Sequence, residues 1–205
     1  MGLFGRKGKG DPHDWLVVGL GNPGEKYTRT RHNVGEEAVR LLAQRRGVTL
    51  KGGRDNALVA ETRFPGPDGD ERVVLAFPIT FMNDSGQAVS SLVRRYRIES
   101  PEQIIVVQDE LDLPPGDLKI KAGGGLAGHN GLRSITQHLK TQDYLRVRIG
   151  VGKPDHKDVG KGHVLSKIPK RERELIDAEI VNAADAVELI IARGVDAAMQ
   201  RYNGR

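Results

Sequence analysis

The sequence predicts one α/β domain, a three-layer sandwich in which a twisted, mostly parallel (mixed) sheet is flanked by helices. Two observations carry that prediction. Strand-like and helix-like segments alternate along the chain without internal repeats or a linker, which is the pattern of layered α/β folds. The first unit, Trp15 to Gly35, also reads as a strand, a glycine turn and a helix start in direct succession.

Residues 1–14, MGLFGRKGKGDPHD, are rich in glycine and basic residues and are expected to form a disordered tail; the domain is expected to span 15–205. Trp15–Gly19 is a short apolar run, as in a buried strand. Gly19, Gly21, Pro23 and Gly24 then break it into a turn. Asn33 and Glu36 have capping-box spacing for a helix to about Arg46, with Val34, Ala38, Leu41 and Leu42 on one face and Gly47 after its end. Ala57–Phe64 and Arg72–Phe77 read as strands joined by a loop over 65–70. Asp84 and Gln87 have the spacing to open a helix reaching about Arg97. Gln103–Gln108 is a continuous apolar strand ending in Asp109-Glu110-Leu111-Asp112. Leu118–Lys121 is a short alternating strand. A glycine loop follows, then a helix over Asn130–Leu139 with Leu132, Ile135 and Leu139 inward. Tyr144–Gly150 alternates Arg146 and Arg148 with apolar residues, as a half-exposed strand would. Residues 151–163 are expected to be a mobile loop. A long helix from about Lys170 to Arg193 and a short one over Val195–Tyr202 close the chain.

Composition narrows the chemistry. With 205 residues the chain is long enough for a full core, and it has no cysteine, so neither disulfides nor thiolate chemistry are available. No apolar run approaches the roughly 18 residues of a membrane span. The beginning of the chain lacks the apolar core of a signal peptide, and Arg6 stands where a myristoylation signal has Ser or Thr; a cytoplasmic location is expected. The net charge of +5 leaves both an ordinary basic protein and one with a polyanionic partner open.

Gly19-x-Gly21-x-x-Gly24 matches the dinucleotide fingerprint. Two features oppose it. Pro23 has no N–H to offer a pyrophosphate, and residues 38–54 contain no Asp or Glu, where an acidic residue is expected about 20 positions on.

Four segments place polar groups after predicted strands: Asn22 with His32, then Asn83, then Asp109, then His129 with Asn130. A His paired with an Asp is a general-base arrangement, since the carboxylate selects the imidazole tautomer and stabilises the imidazolium. Asparagine amides can donate to a carbonyl or a developing oxyanion. No serine lies in a Gly-x-Ser-x-Gly elbow, and no His-Glu-x-x-His occurs. The combination suggests water attacking an ester or amide, without a metal.

These motifs strongly resemble those of the bacterial peptidyl-tRNA hydrolases. The resemblance covers nearly all the chain from Trp15. It is carried by Gly19-Leu-Gly-Asn-Pro-Gly with Tyr27 and Thr30-Arg-His-Asn33, Thr80-Phe-Met-Asn83 with Ser85-Gly86, Asp109-Glu-Leu-Asp-Leu-Pro114, Gly123-Gly-Gly with Gly128-His-Asn-Gly-Leu132, and Arg146-Val-Arg-Ile-Gly150. It implies a monomeric esterase without a metal, cofactor or obligate protein partner. Such an enzyme cleaves the bond between a peptide and the 3′-terminal ribose of tRNA, and so recycles tRNA from abandoned translation.

By the same resemblance, His32 is the base, Asp109 orients it, and Asn22 and Asn83 hold the His32 region and the substrate carbonyl. Asn130 bonds the peptide, His129 lines the cleft, and Tyr27 and Met82 contact the terminal nucleotide or peptide. Lys121 and Arg148 match the pair that clamps the 5′ phosphate. Two departures stand out: Gln108 replaces a common His before the Asp, which puts a second histidine contact to Asp109 in doubt, and His163 precedes Val164-Leu165 where an aromatic is common, which implies a more polar cover over the peptide groove. A non-catalytic RNA-binding protein on the same scaffold, like the plant splicing-factor relatives, is the rival reading.

Overall fold

The computed structural model describes residues 3–4, 11–154 and 160–204. Its strands are β1 (Trp15–Gly19), β2 (Lys51–Gly52), β3 (Ala57–Gly66), β4 (Gly69–Pro78), β5 (Ile104–Glu110), β6 (Leu118–Ala122) and β7 (Leu145–Gly150). Its helices are α1 (Val34–Arg45), α2 (Ser85–Tyr96), α3 (Asn130–Leu139), α4 (Gly160–Leu165), α5 (Lys170–Arg193) and α6 (Val195–Tyr202). The strands form one mixed sheet in the order β2-β3-β4-β1-β5-β7-β6. The four central strands β4, β1, β5 and β7 are parallel. The antiparallel partners lie outside them, β3 and β2 on one flank and β6 on the other.

Both faces of the central strands are covered, so β1 and Ile104–Val107 of β5 are apolar at every position rather than at alternate ones. In β1, Val17 packs toward α1 and α5, while Leu16 and Val18 pack toward α2 and α3. Long α5 is fixed by Ile176, Ile180, Val187, Ile190 and Ile191, all buried, each contributing about 1.5–3 kcal/mol. Two glycines permit the close approaches that seat the site. A Cβ on Gly35 of α1 would lie 2.1 Å from Val107 O of β5, and one on Gly86 of α2 would lie 2.1 Å from Ser134 O of α3. No helix among the described residues is long and apolar enough to cross a membrane.

Several local expectations change. Strands β3 and β4 run through 65–70 and pair as far as Gly66↔Gly69, leaving only Pro67-Asp68 at the turn; cross-strand pairing overrides the polar, proline-bearing sequence there. Neither Asn33 nor Asp84 caps its helix with its side chain. Strand β5 continues past Gln108 and carries Asp109 and Glu110, buried like the rest of it. The end of the expected 151–163 loop is instead the start of α4, while 155–159 lie outside the described residues. Most of the 1–14 tail also lies outside them. At its end, His13 N–H donates to Tyr96 O and Asp14 N–H to Arg72 O, which ties 13–14 to the domain.

Candidate active site

Parallel β1, β4 and β5 place their carboxyl ends together, where open α/β sheets hold ligands. From β1 come the turn with Asn22 and the 3₁₀ turn Arg31–Asn33 with His32. From β4 comes Met82–Asp84, and near the end of β5 stands Asp109. The fourth cluster arrives by another route. Strand β6 is antiparallel, and its end, Ala122, pairs with the start of β7, Leu145, at the opposite edge of the sheet. Residues 123–129 must therefore run back along the sheet. At up to about 3.3 Å per residue, these seven can span the roughly 17 Å of a five-residue strand. They deliver His129 and α3 to the site.

Arg146 holds this return loop. It was expected on an exposed strand face, but it is 2 % exposed. Its guanidinium bonds the Gly125 carbonyl at 2.7 Å, the Gly124 carbonyl at 2.6 Å, and the Gly123 carbonyl. Burial drives its pKa down, and the glycine carbonyls supply the partners that a buried guanidinium needs. The sequence signal that could have found this is the glycine triplet itself, a backbone free to turn three carbonyls toward one donor.

At the centre, His32 Nδ1 lies 2.8 and 2.9 Å from the two Asp109 carboxylate oxygens. His129 Nε2 lies 3.0 Å from Oδ1 of the same carboxylate. The His129 tautomer follows from its other nitrogen, because Nδ1 accepts the Gly131 N–H at 3.1 Å while capping α3. The His129 proton is therefore on Nε2 and is donated to Asp109. By the same logic His32 carries its proton on Nδ1, leaving Nε2 as a lone pair with no partner among the described residues. Asp109 is 2 % exposed. Burial alone would raise its pKa, but the two imidazoles hold it well below the usual carboxylate range. For His32, burial opposes the imidazolium, yet the Asp109 charge and hydrogen bond outweigh it, and the His32 pKa lies above its ordinary value.

Asn22 is oriented as firmly. Asn33, in place of capping α1, makes two hydrogen bonds with the Asn22 backbone, accepting its N–H and donating to its carbonyl, both at 2.9 Å. The Asn22 side-chain Oδ1 accepts the Met82 N–H at 2.8 Å. That assigns the amide, so Nδ2, the donor end, is left to the cleft. His32 lies between two spaces. One is a cavity of about 130 Å³ with Asp109, His129 and Asn130 in its wall. The other is an open cleft of about 390 Å³ that includes Asn22, Tyr27, Met82, Asn83 and Asn130. The eight predicted catalytic and substrate residues thus share one site. Sequence reasoning missed Phe81, which is 57 % exposed in the cleft wall.

Val164 and Leu165 also line this cleft, and His163 turns away to Gly152 O at 3.0 Å. The cover is apolar there, contrary to the polar one expected. Gln108 likewise proves indirect. It is buried and contacts the Asp109 backbone carbonyl at 3.3 Å, while the second histidine contact to Asp109 comes from His129.

The two predicted phosphate ligands differ. Lys121 lies beside Gly124 and directly across from Arg146 in the β6–β7 pair. Arg148 is held by buried Glu110, with both Nε and Nη2 at 3.0 Å from Oε2. Lys121 is thus the freer cation, and Arg148 is pre-oriented by an anion.

His32, Asp109 and His129 lie close enough to be considered as metal ligands. Their donor chemistry does not fit. The atoms that face one another, His32 Nδ1, the Asp109 carboxylate and His129 Nε2, already share hydrogen bonds, and His129 Nε2 must carry a proton while Nδ1 accepts from the backbone.

Comparison with known proteins identifies relatives of this arrangement. The family model described as "Peptidyl-tRNA hydrolase" matches residues 16–205. A peptidyl-tRNA hydrolase of Frankia casuarinae is 48% identical over 189 residues, covering 92% of this chain and 93% of that protein. One of Leifsonia xyli subsp. xyli is 47% identical, covering 92% and 96%. The crystal structure of peptidyl-tRNA hydrolase from Acinetobacter baumannii superposes with a TM-score of 0.83 at 41% identity, covering 95% of this chain and 97% of that one.

Proposed function

The chain belongs to the peptidyl-tRNA hydrolase family, and from that premise we propose that it hydrolyses the ester between a peptide and the 3′-terminal ribose of tRNA, releasing tRNA for reuse. The observation that carries the mechanism is the Asp109-bound His32 whose free Nε2 shares a cleft with the Asn22 amide donor.

His32 Nε2 takes a proton from a water as that water attacks the ester carbonyl. Asp109 keeps the proton on Nδ1 and stabilises the imidazolium that forms. Asn22 Nδ2 donates to the carbonyl oxygen as it gains charge. The tetrahedral intermediate collapses, the C–O bond to the ribose breaks, and the imidazolium returns its proton to the departing 3′ oxygen. His129 is a second donor to Asp109 and holds the carboxylate in register. Tyr27, Met82, Asn83 and Asn130 flank the path of the terminal nucleotide and peptide. Lys121 and Arg148 meet the 5′ phosphate, Lys121 as a point charge and Arg148 as a fork steadied by Glu110.

The deciding experiment is hydrolysis of N-acetylated aminoacyl-tRNA by wild type and His32→Ala. The expected result is cleavage by wild type and none by the variant, with tRNA binding nearly intact. A variant retaining more than a tenth of the wild-type rate removes His32 as the base. Tight tRNA binding without cleavage by either would instead favour a non-catalytic RNA-binding protein.

A further inference from the structure

Arg31 immediately precedes the base, but its side chain turns away from the cleft and is 3 % exposed. Its Nη1 donates to Ser166 Oγ at 2.8 Å and reaches Lys167 O at 3.5 Å, and its Nη2 pairs with Glu172 Oε2 at 2.5 Å. The backbone follows the same path. Arg31 N–H donates to Ser166 O at 3.4 Å, and Thr30 forms an antiparallel bridge with Lys167. Ser166 in turn terminates α4, since its N–H and its hydroxyl both donate to His163 O. Helix α4 packs on the 31–33 turn and presents Val164 to both spaces that flank His32.

We infer that Arg31 is a positioning residue: its hold on Ser166, Lys167 and Glu172 seats α4 so that Val164 covers the His32 imidazole and keeps bulk water from the His32–Asp109 pair. The inference rests on the proposed role of His32. A guanidinium suits the task because its planar fork reaches several acceptors at once, which an ammonium on a flexible stem does not. Pairing with Glu172 cancels its charge locally, so a cation can stand next to the base without opposing its protonation. The other ionisable groups toward His32 are Asp109 from β5, His129 at the start of α3, and Glu110 with its partner Arg148; on α4, His163 is turned to Gly152.

The test uses the full chain with Arg31→Met, Glu172→Gln, Val164→Ala and the Arg31→Met/Val164→Ala double variant. Two readouts are taken: the His32 ring pKa by NMR, and kcat and KM on N-acetylated aminoacyl-tRNA. In Arg31→Met, kcat is expected to fall about 10-fold or more with KM nearly unchanged, as small losses of alignment do. The His32 pKa is expected to rise further, because burial of the ring is the strongest influence against the imidazolium while the Asp109 bond stays buried without α4. Glu172→Gln should lower kcat by less, and because it leaves the Arg31 charge uncancelled, its His32 pKa should stay below that of Arg31→Met. The double variant should be no slower than the slower single one, since both changes remove one cover.

An unchanged His32 titration in Arg31→Met, or effects that multiply in the double variant, would overturn the inference. Should Arg31→Met fail to fold, Arg31→Lys, which keeps the charge but loses the fork, decides on the same readouts. A wild type that does not cleave, with a His32 pKa that still moves in the variants, would sink the proposed function and leave the Arg31 role standing.

Discussion

Replacing Asp109 with Asn tests the centre of the site. The carboxylate accepts two imidazole N–H groups, from His32 at 2.8 and 2.9 Å and from His129 at 3.0 Å. An asparagine there has one acceptor and one donor. His129 cannot change tautomer without losing the Gly131 N–H that its Nδ1 accepts, so it retains the amide oxygen. The amide NH₂ then faces His32 Nδ1, which must become an acceptor. The proton moves to Nε2, the atom that should remove a proton from water. Loss of one charge-assisted bond costs about 1.5–3 kcal/mol, or about 10- to 150-fold in rate. The wrong tautomer adds to this, so kcat should fall by about 10²-fold or more.

The pH profile gives an independent sign. His32 must be neutral to act, and Asp109 raises its pKa. Wild-type kcat/KM should therefore climb with pH through a midpoint above the ordinary histidine value of about 6.5. In Asp109→Asn the burial of the ring is left unopposed, and any residual activity should show its acid limb at lower pH. The assay is steady-state cleavage of N-acetylated aminoacyl-tRNA from about pH 5 to 9, a range that brackets the histidine transition. Kinetics within about threefold of wild type and an unmoved acid limb would refute both the tautomer argument and the role of Asp109.

Other substitutions separate the remaining parts. Asn22→Asp keeps the acceptor for the Met82 N–H but removes the donor, so kcat should drop by about 10²–10³-fold while tRNA affinity changes little; an unaltered kcat would mean that the oxyanion is met elsewhere. Lys121→Ala should weaken tRNA binding and flatten its salt dependence by about one phosphate contact, with thermal stability retained. Arg148→Ala should do the same to binding but also lower the melting temperature, because it strands buried Glu110, a loss of about 3–5 kcal/mol; equal stabilities of the two variants would contradict the Glu110 pairing. Activity should survive EDTA, given that the His32, Asp109 and His129 atoms are engaged with one another; loss of activity restored by added metal would reverse that assignment.

How far the sequence reached follows from how local each signal was. Strand and helix periodicity is written within a dozen residues, and the long α5 and the short α3 fall where their apolar spacing put them. Burial on both faces leaves β1 and Ile104–Val107 of β5 apolar, which is legible as a continuous run. His32, Asp109, Asn22 and Asn83 were legible as polar groups after strand ends. Where pairing partners are remote, local signals failed. The loop over 65–70 became a hairpin through cross-strand pairing, and Asn33 exchanged a cap on its own helix for the backbone of Asn22.

The sequence by itself determined the alternation of elements, the covered parallel core and the types of group available for chemistry, because these depend on neighbours along the chain. Tertiary structure alone decided which group meets which. It placed His129 on Asp109 by way of a return loop, buried Arg146 against three glycine carbonyls to hold that loop, gave Arg148 to Glu110, and set Arg31 against α4. Each of these unites residues 20 or more positions apart through the geometry of neighbouring parallel strands, an antiparallel edge strand or a helix seat. A buried charge must find its partner wherever the fold brings one, and that location is not encoded in any single stretch of the chain.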